Sequence, residues 1–231
     1  MILLAVETSG TQASIALQVD GQSSELRLLD STGRRHTQTL VSEADRMLRQ
    51  RNLQPQEVDV VAVSIGPGSF TGLRVGLVFA KTFAWINHAS QVAVSTLRAI
   101  VEQAPAQYPR LTAVVDAQRG ELFAADFTRD SANLFLPCSH DIRIVTPEQL
   151  AADRFITGPG VDTLKLDRYP ELQLLPSEYR QPNAAAVARV GAELYAAGTL
   201  SDPSVLEPVY VRRSYAEEKK PTAFQNRDRH P

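Results

Sequence analysis

The pattern of hydrophobic and polar positions predicts short strands that alternate with amphipathic helices. Residues 2–6 form an apolar run, and residues 13–19 alternate between apolar and polar types as a strand does. The dipeptide Asp20-Gly21 is a strong hairpin signal, and residues 25–29 complete a three-stranded meander. Residues 37–52 then place their apolar side chains on one face of a helix.

The stretch from residue 58 to residue 88 is the most informative part of the chain. Residues 58–65 are apolar and largely β-branched, as a buried strand requires. The turn Gly66-Pro67-Gly68-Ser69 ends that strand, and Ser69 or Thr71 can cap the helix that follows. A bare turn at a helix start can direct its amide groups at a phosphate, although this spacing matches neither common phosphate-binding motif. A plain tight turn and a phosphate loop both fit these residues.

The helix predicted after this turn carries a stripe of small residues. Gly72, Gly76, Ala80 and Ala84 recur at every fourth position, whereas most of the other positions are bulky and apolar. A glycine inside a helix costs about 1 kcal/mol relative to alanine, so the stripe indicates close approach by another element. That element is either the chain's own sheet with a neighbouring helix or another protein chain. In the second case, a leucine at Gly76 should weaken partner binding and leave the fold intact.

The order of elements restarts near residue 105. The predicted elements of this second unit are strands at 111–115, 122–127, 141–145, 154–157 and 172–175, a helix from Thr146-Pro147-Glu148, and an alanine-rich helix at 183–197. Two successive β-β-β-α-β-α units predict an α/β protein with two domains, mixed sheets and a cleft between them. The expected domains are residues 1–104 and 105–213, followed by a polar, mobile tail at 214–231.

An acidic residue follows the first strand of each unit. Glu7 and Asp116 either face the cleft, where paired carboxylates can hold a nucleotide–metal complex, or only cap their turns. The residues leave both interpretations open.

Composition and charge narrow the class of protein. With 24 Lys and Arg against 26 Asp and Glu, the net charge is −2, so no basic surplus drives unaided binding to nucleic acid. The single Cys138 excludes an internal disulfide and fits a reducing compartment. The amino terminus does not resemble a signal peptide, and no apolar stretch is long enough to span a bilayer. We therefore expect a cytoplasmic protein without membrane contact.

Familiar catalytic motifs are absent from the sequence. No two of its 4 histidines are four residues apart, so no helix face offers a histidine metal pair. The run from Gly68 to Gly72 places Ser69 one position too early for a nucleophile elbow. No lysine follows the glycine turn as in a phosphate-binding loop. We therefore predict no catalytic residue and no metal site.

Several motifs together resemble those of the TsaB (YeaZ) family of bacterial accessory proteins, which serve the synthesis of threonylcarbamoyladenosine on tRNA. The most specific is GPGSFTGLRVG at 66–76. The resemblance extends along nearly the whole chain, through AVETS at 5–9, HTQ at 36–38, VSTL at 94–97, DAQRGE at 116–121 and EPVYVR at 207–212.

The resemblance implies a duplicated actin/Hsp70-like (ASKHA, RNase H-like) fold, in agreement with the two-unit pattern. Three positions depart from the related sequences. The transferase TsaD carries a metal-binding histidine pair on the helix equivalent to residues 37–52. The first histidine of that pair matches His36, but the position four residues further on is Leu40. This difference argues against metal binding and peptidase activity. Glu7 stands where the family usually has Asp, and Gln118 where it often has Arg, so the match to an ATP site is weakened.

By this resemblance the chain is a non-catalytic subunit that binds TsaD as a heterodimer and acts with the ATPase TsaE. Two helices, at 37–52 and 71–88, would form a four-helix interface with the equivalent pair of TsaD, and the free chain would be able to form a homodimer through them. tRNA would be bound through the complex. The alternative is a stand-alone ATPase or a metal-dependent peptidase.

The resemblance also implies the residues of two sites. Those expected at the partner interface are Leu40, Ala44, Met47, Gly72, Leu73, Val75, Gly76, Phe79, Ala80 and Phe83. Those expected to contact a nucleotide are Glu7, Thr8, Gly66, Gly68, Ser69, Thr71, Arg74 and Asp116. No cofactor belongs to the chain itself, but ATP or ADP is expected at the partner interface.

Overall fold

The computed structural model describes residues 1–22, 25–29, 36–139, 141–150 and 154–211. The predicted tail, the end of the last family motif and the side chain of His36 lie outside the described residues. The strands are β1 (Ile2–Glu7), β2 (Ser14–Val19), β3 (Glu25–Leu28), β4 (Val60–Gly66), β5 (Ser90–Ser95), β6 (Arg110–Asp116), β7 (Leu122–Arg129), β8 (Phe135–Pro137), β9 (Arg143–Val145), β10 (Phe155–Thr157) and β11 (Gln173–Leu174). The helices are α1 (His36–Gln50), α2 (Phe70–Asn87), α3 (Thr96–Val101) and α4 (Ala184–Ala196). Within these described ranges, no helix is long and apolar enough to cross a membrane.

The first sheet is mixed, with strand order β3-β2-β1-β4-β5. β1 pairs antiparallel with β2, and β2 antiparallel with β3, as the hairpin signal predicted. β1 pairs parallel with β4, and β4 parallel with β5, each across a helical connection. The carboxyl ends of β1 and β4 therefore meet at one edge, beside the glycine turn.

Helices cover both faces of this sheet. α1 and α2 pack on one face, where Leu4, Val6 and Met47 belong to a single buried cluster. α4 packs on the other face, against the cluster that contains Leu3 and Ala62. Successive residues of β1 and β4 thus point into two cores, which explains why both strands are apolar without alternation.

The second sheet repeats the pattern of the first. Its main order is β11-β10-β6-β7-β8, and β9 also pairs with β7. β6 and β7 are antiparallel, whereas β10 pairs parallel with both β6 and β11. β6, β7, β10 and β11 therefore correspond to β1, β2, β4 and β5, and the predicted duplicated α/β fold is confirmed.

Two elements of the second unit differ from the prediction. Pro147–Gln149 form a single 3-10 turn where a helix was predicted, and the backbone N–H of Thr146 donates to Oε1 of Gln149 at 2.8 Å to close it. β8 was not predicted, because it is short and contains Pro137. It lies at an edge of the sheet, where a missing amide donor is tolerated.

The helix α4 follows the second sheet in the chain but packs against the first. A Cβ at Gly191 would lie 2.5 Å from the Cβ of Ala62 on β4, so the helix and strand approach closely. Arg98 of α3 and Glu193 of α4 form an ion pair at 2.6 Å that holds the two helices together. The sequence pattern places this helix in the second unit, whereas the structure packs it against the first sheet. The residue limits of the two domains stay a prediction.

Candidate partner-binding groove and cleft

An apolar groove runs between α1 and α2 on the outer side of the first sheet. It measures about 510 Å³. The residues that line this α1–α2 groove are Leu40, Val41, Arg74, Val75, Val78, Phe79, Thr82, Phe83, Ile86 and Asn87. Of these described residues, Arg74 is the one that carries a charge.

Several apolar side chains around the groove are open to solvent. The exposed fraction is 61% for Val41, 64% for Val78 and 58% for Ile86. Trp85, also on α2, is 78% exposed. Single exposed apolar residues are ordinary, but a group of them around one groove is typical of a protein-binding surface.

The stripe of small residues on α2 does not contribute to this surface. A Cβ at Gly72 would lie 1.9 Å from the carbonyl oxygen of Thr8, and a Cβ at Gly76 would lie 2.2 Å from Thr8 Oγ1. Ala80 and Ala84 are buried in the cluster between the first sheet and the helices α1 and α2. The stripe therefore lets α2 approach the end of the chain's own β1, and the expectation that a leucine at Gly76 would spare the fold is wrong.

The ten residues predicted for the partner interface occupy different places. Four of them line the groove: Leu40, Val75, Phe79 and Phe83. The other six do not line it: Ala44, Met47, Gly72, Leu73, Gly76 and Ala80. Of these six, all but Gly72 are buried, and Leu73 lines the cleft described below, so their part in an interface stays a prediction.

The sequence prediction missed the most exposed residues of the groove. Val78, Thr82 and Ile86 recur at four-residue spacing on the side of α2 away from the glycine stripe. That spacing is visible in the sequence, but α2 is apolar around most of its circumference, so the pattern alone does not show which side is open.

A second cavity, the cleft, lies where the turns of the two sheets meet. It measures about 580 Å³. The residues that line it are Ser9, Gly10, Thr11, Pro67, Gly68, Ser69, Phe70, Leu73, Val115, Asp116, Ala117, Gln118, Arg119, Phe123, Pro159, Val209, Tyr210 and Val211. The paired units therefore enclose a cleft, as the duplicated pattern predicted.

The last described residues, 206–211, form a C-terminal strap along this cleft. The backbone N–H of Val209 donates to the carbonyl of Ile65 at 2.7 Å, at the end of β4. Nε of Arg74 donates to the hydroxyl of Tyr210 at 2.9 Å. Nothing in the sequence pattern indicated this strap, because it joins positions more than one hundred residues apart.

The two carboxylates, for which the sequence left a cleft-facing role and a turn-capping role open, both cap turns. Glu7 Oε1 accepts hydrogen bonds from the backbone N–H and the hydroxyl of Ser9, both at 2.5 Å. In the second unit, Asp116 accepts from the backbone N–H of Gln118 at 2.8 Å and from its Nε2 at 3.0 Å. Both capping contacts reach two residues ahead, so the two turns are equivalent in the duplicated fold.

Glu7 and Asp116 differ in their access to the cleft. Asp116 lines it, whereas the side chain of Glu7 is completely buried beneath Ser9. Burial raises the pKa of Glu7, and the hydrogen bonds from Ser9 oppose that rise only in part. Contacts from the side chain of Ser64 and the backbone of Gly10 also lower the pKa of this carboxyl.

The remaining residues predicted to contact a nucleotide are divided in the same way. Gly68 and Ser69 line the cleft, whereas Thr8, Gly66, Thr71 and Arg74 do not. The backbone N–H of Ser69 donates to the carbonyl of Ser9 at 2.8 Å, and Ser69 Oγ accepts from the N–H of Gly72 as the cap of α2. The turn is therefore bonded within the chain at Ser69, as a plain tight turn requires.

These contacts do not fit a metal–nucleotide complex held by paired carboxylates. Glu7 is completely buried and does not line the cleft, so Asp116 is the one carboxylate of the pair that is found there. Across the described residues, no group of three or more His, Cys, Asp or Glu side chains is placed to hold a metal ion.

The chain is therefore a duplicated α/β protein, in which two mixed sheets meet at a cleft between their turns. The solved structure titled "YeaZ from Pseudomonas aeruginosa" has the same fold, with a TM-score of 0.77 over 91% of this chain and 99% of that one, at 23% sequence identity.

A model of the family described as "TsaD: tRNA N6-adenosine threonylcarbamoyltransferase" matches residues 30–164. The chain belongs to this family. Two relatives named "tRNA threonylcarbamoyladenosine biosynthesis protein TsaB" match along almost their whole length. The one from Escherichia coli is 27% identical over 96% of this chain and 99% of its own length. The one from Haemophilus influenzae is 26% identical, with 96% and 98% covered. The predicted resemblance to TsaB (YeaZ) proteins is confirmed.

Proposed function

We propose that the chain is a non-catalytic subunit required for N6-threonylcarbamoyladenosine modification of tRNA. The names of its full-length relatives and the family model support a role in this pathway. The observation that carries the subunit role is the α1–α2 groove, where exposed Val41, Val78 and Ile86 surround an apolar surface. A surface of this kind gains stability when a protein covers it.

The partner that best fits the groove is a TsaD-type transferase. A chain of the same family carries equivalent helices, so a pair of helices from the partner would meet α1 and α2 in a four-helix arrangement. The same surface would support a homodimer of the free chain. TsaE and tRNA would join through this complex in the cytoplasm, and ATP or ADP at the interface stays a prediction on which the subunit role does not depend.

A reconstituted modification assay tests the subunit role. The assay combines tRNA, threonylcarbamoyl-adenylate, a TsaD-type transferase and a TsaE-type ATPase, with or without the chain, and measures the modified nucleoside by mass spectrometry. We expect modification to require the chain and to fall at least tenfold with Ile86→Asp, because a buried carboxylate without a partner is costly. Equal modification without the chain would contradict the proposal, and ATP or peptide hydrolysis by the chain alone would favour the stand-alone enzyme.

A further inference from the structure

Arg74 lies between the α1–α2 groove and the residues that line the cleft. Its side chain lines the α1–α2 groove. Its guanidinium carbon also lies 3.9 Å from the ring centroid of Phe70, and its Nε donates to the hydroxyl of Tyr210. Phe70 and Tyr210 line the cleft, and their ring centroids are 5.1 Å apart. One side chain therefore connects the groove to the strap over the cleft.

The charge of Arg74 sets a requirement on whatever covers the groove. The other described residues that line it are uncharged, and Arg74 is exposed in the free chain. Covering a guanidinium with an apolar surface is costly unless an acceptor, preferably a carboxylate, compensates it. The fitting partner is therefore a pair of apolar helices that carries an Asp or Glu opposite Arg74.

Such a carboxylate would compete with Tyr210 for the same guanidinium. A carboxylate carries the opposite charge and can accept two parallel N–H bonds from the guanidinium, whereas the neutral hydroxyl of Tyr210 accepts one, from Nε. The strap would then keep the bond between Val209 and Ile65 but lose the contact with Arg74.

We propose that a transferase docked in the α1–α2 groove presents a carboxylate to Arg74, draws it away from Tyr210, and so loosens the strap at the cleft. This inference rests on the proposed function, because it requires the transferase to occupy the groove. It adds that occupation of the groove opens access to the cleft.

Hydrogen exchange of residues 206–211, followed by mass spectrometry, tests this coupling. In the free chain, Tyr210→Phe keeps the ring but removes the acceptor for Arg74, so exchange of the strap should become about tenfold faster. Tyr195→Phe, which removes a hydroxyl from α4, is the matched control and should leave the strap unchanged. Saturating the unmodified chain with the transferase should speed exchange by a similar factor, and Tyr210→Phe should add little in the complex.

Affinity measurements test the carboxylate itself. Arg74→Gln should weaken binding to the transferase about tenfold, and Arg74→Glu should weaken it further, because it places two carboxylates together. Lys81→Glu, a charge reversal on α2 outside the lining of the groove, is the control and should bind nearly as the unmodified chain does.

The outcomes separate the two proposals. If the complex forms but exchange of the strap is unchanged or slower, the coupling is wrong and the subunit role stands. Equal affinity for the unmodified chain and both Arg74 variants would also overturn the coupling. If the unmodified chain and the transferase form no complex at all, the proposed function is contradicted, and the coupling falls with it.

Discussion

Thr8 and Gly72 hold the end of β1 against the start of α2. The hydroxyl of Thr8 donates to the carbonyl of Gly72 at 2.7 Å, and a Cβ at Gly72 would lie 1.9 Å from the carbonyl oxygen of Thr8. The glycines of α2 therefore serve the packing of the chain's own fold. This frees the opposite, bulky side of the helix for the groove.

Replacing a glycine of the stripe should destabilise the chain. In a helix that is open at this side, Gly76→Ala would raise the free energy of unfolding by about 1 kcal/mol. Here the new methyl group would collide with Thr8 Oγ1, so we expect a loss of about 2 kcal/mol in urea unfolding. Thr82→Ala, at an exposed position of the same helix, is the control. A variant Gly76→Ala as stable as the parent chain would show that the stripe is not packed in this way.

Neutralising Glu7 should change how stability depends on pH. Burial raises the pKa of Glu7, so folding at higher pH requires this carboxyl to take up a proton. The contribution of Glu7 to the free energy of unfolding is therefore fully present below its unfolded-state pKa of about 4.3. That contribution is lost as the pH rises through the folded-state pKa. Glu7→Gln removes this titration, so it should gain stability relative to the parent as the pH rises from 4 to 8. Calorimetry at both pH values measures the difference, and a constant difference would contradict the raised pKa.

Breaking the ion pair between α3 and α4 should weaken the attachment of α4. The Arg98 side chain is only 12% exposed and the Glu193 side chain 29%, so the pair is shielded from solvent. Glu193→Gln should cost about 1–2 kcal/mol of unfolding free energy. The exposed pair of Asp45 and Arg49 on α1 provides a control, since Asp45→Asn should cause no measurable change. Equal free energies of unfolding for Glu193→Gln and Asp45→Asn would show that the ion pair between Arg98 and Glu193 contributes little to stability.

Much of the fold could be predicted because its signals are local. The hairpin at Asp20-Gly21, the double-sided apolar runs of β1 and β4, and the repetition of a strand followed by an acidic turn at Glu7 and Asp116 all lie within short stretches. The turn-capping role of the two carboxylates is equally local, because each reaches only two residues ahead. Because these contacts are local, turn capping was one of the two roles that the sequence analysis gave to Glu7 and Asp116.

The arrangement of the sites could be predicted only in part, because it depends on contacts between distant residues. A glycine stripe signals close approach, but Thr8 is what approaches Gly72 and Gly76, and it lies more than sixty positions earlier. The contact of Arg74 with Tyr210 spans 136 positions. Periodicity in a helix cannot reveal such a contact, so the open side of α2 and the strap appear only in the structure.

We propose that the α1–α2 groove is the surface that binds the transferase. Size-exclusion chromatography with light scattering tests this most directly. The unmodified chain should form a heterodimer with a TsaD-type transferase. Val78→Asp, a change at an exposed position of the groove, should abolish it without changing the melting temperature. Leu136→Asp, at an exposed apolar position on β8, should form the heterodimer normally. A heterodimer that survives Val78→Asp and is lost with Leu136→Asp would place the interface on the second sheet and contradict the account.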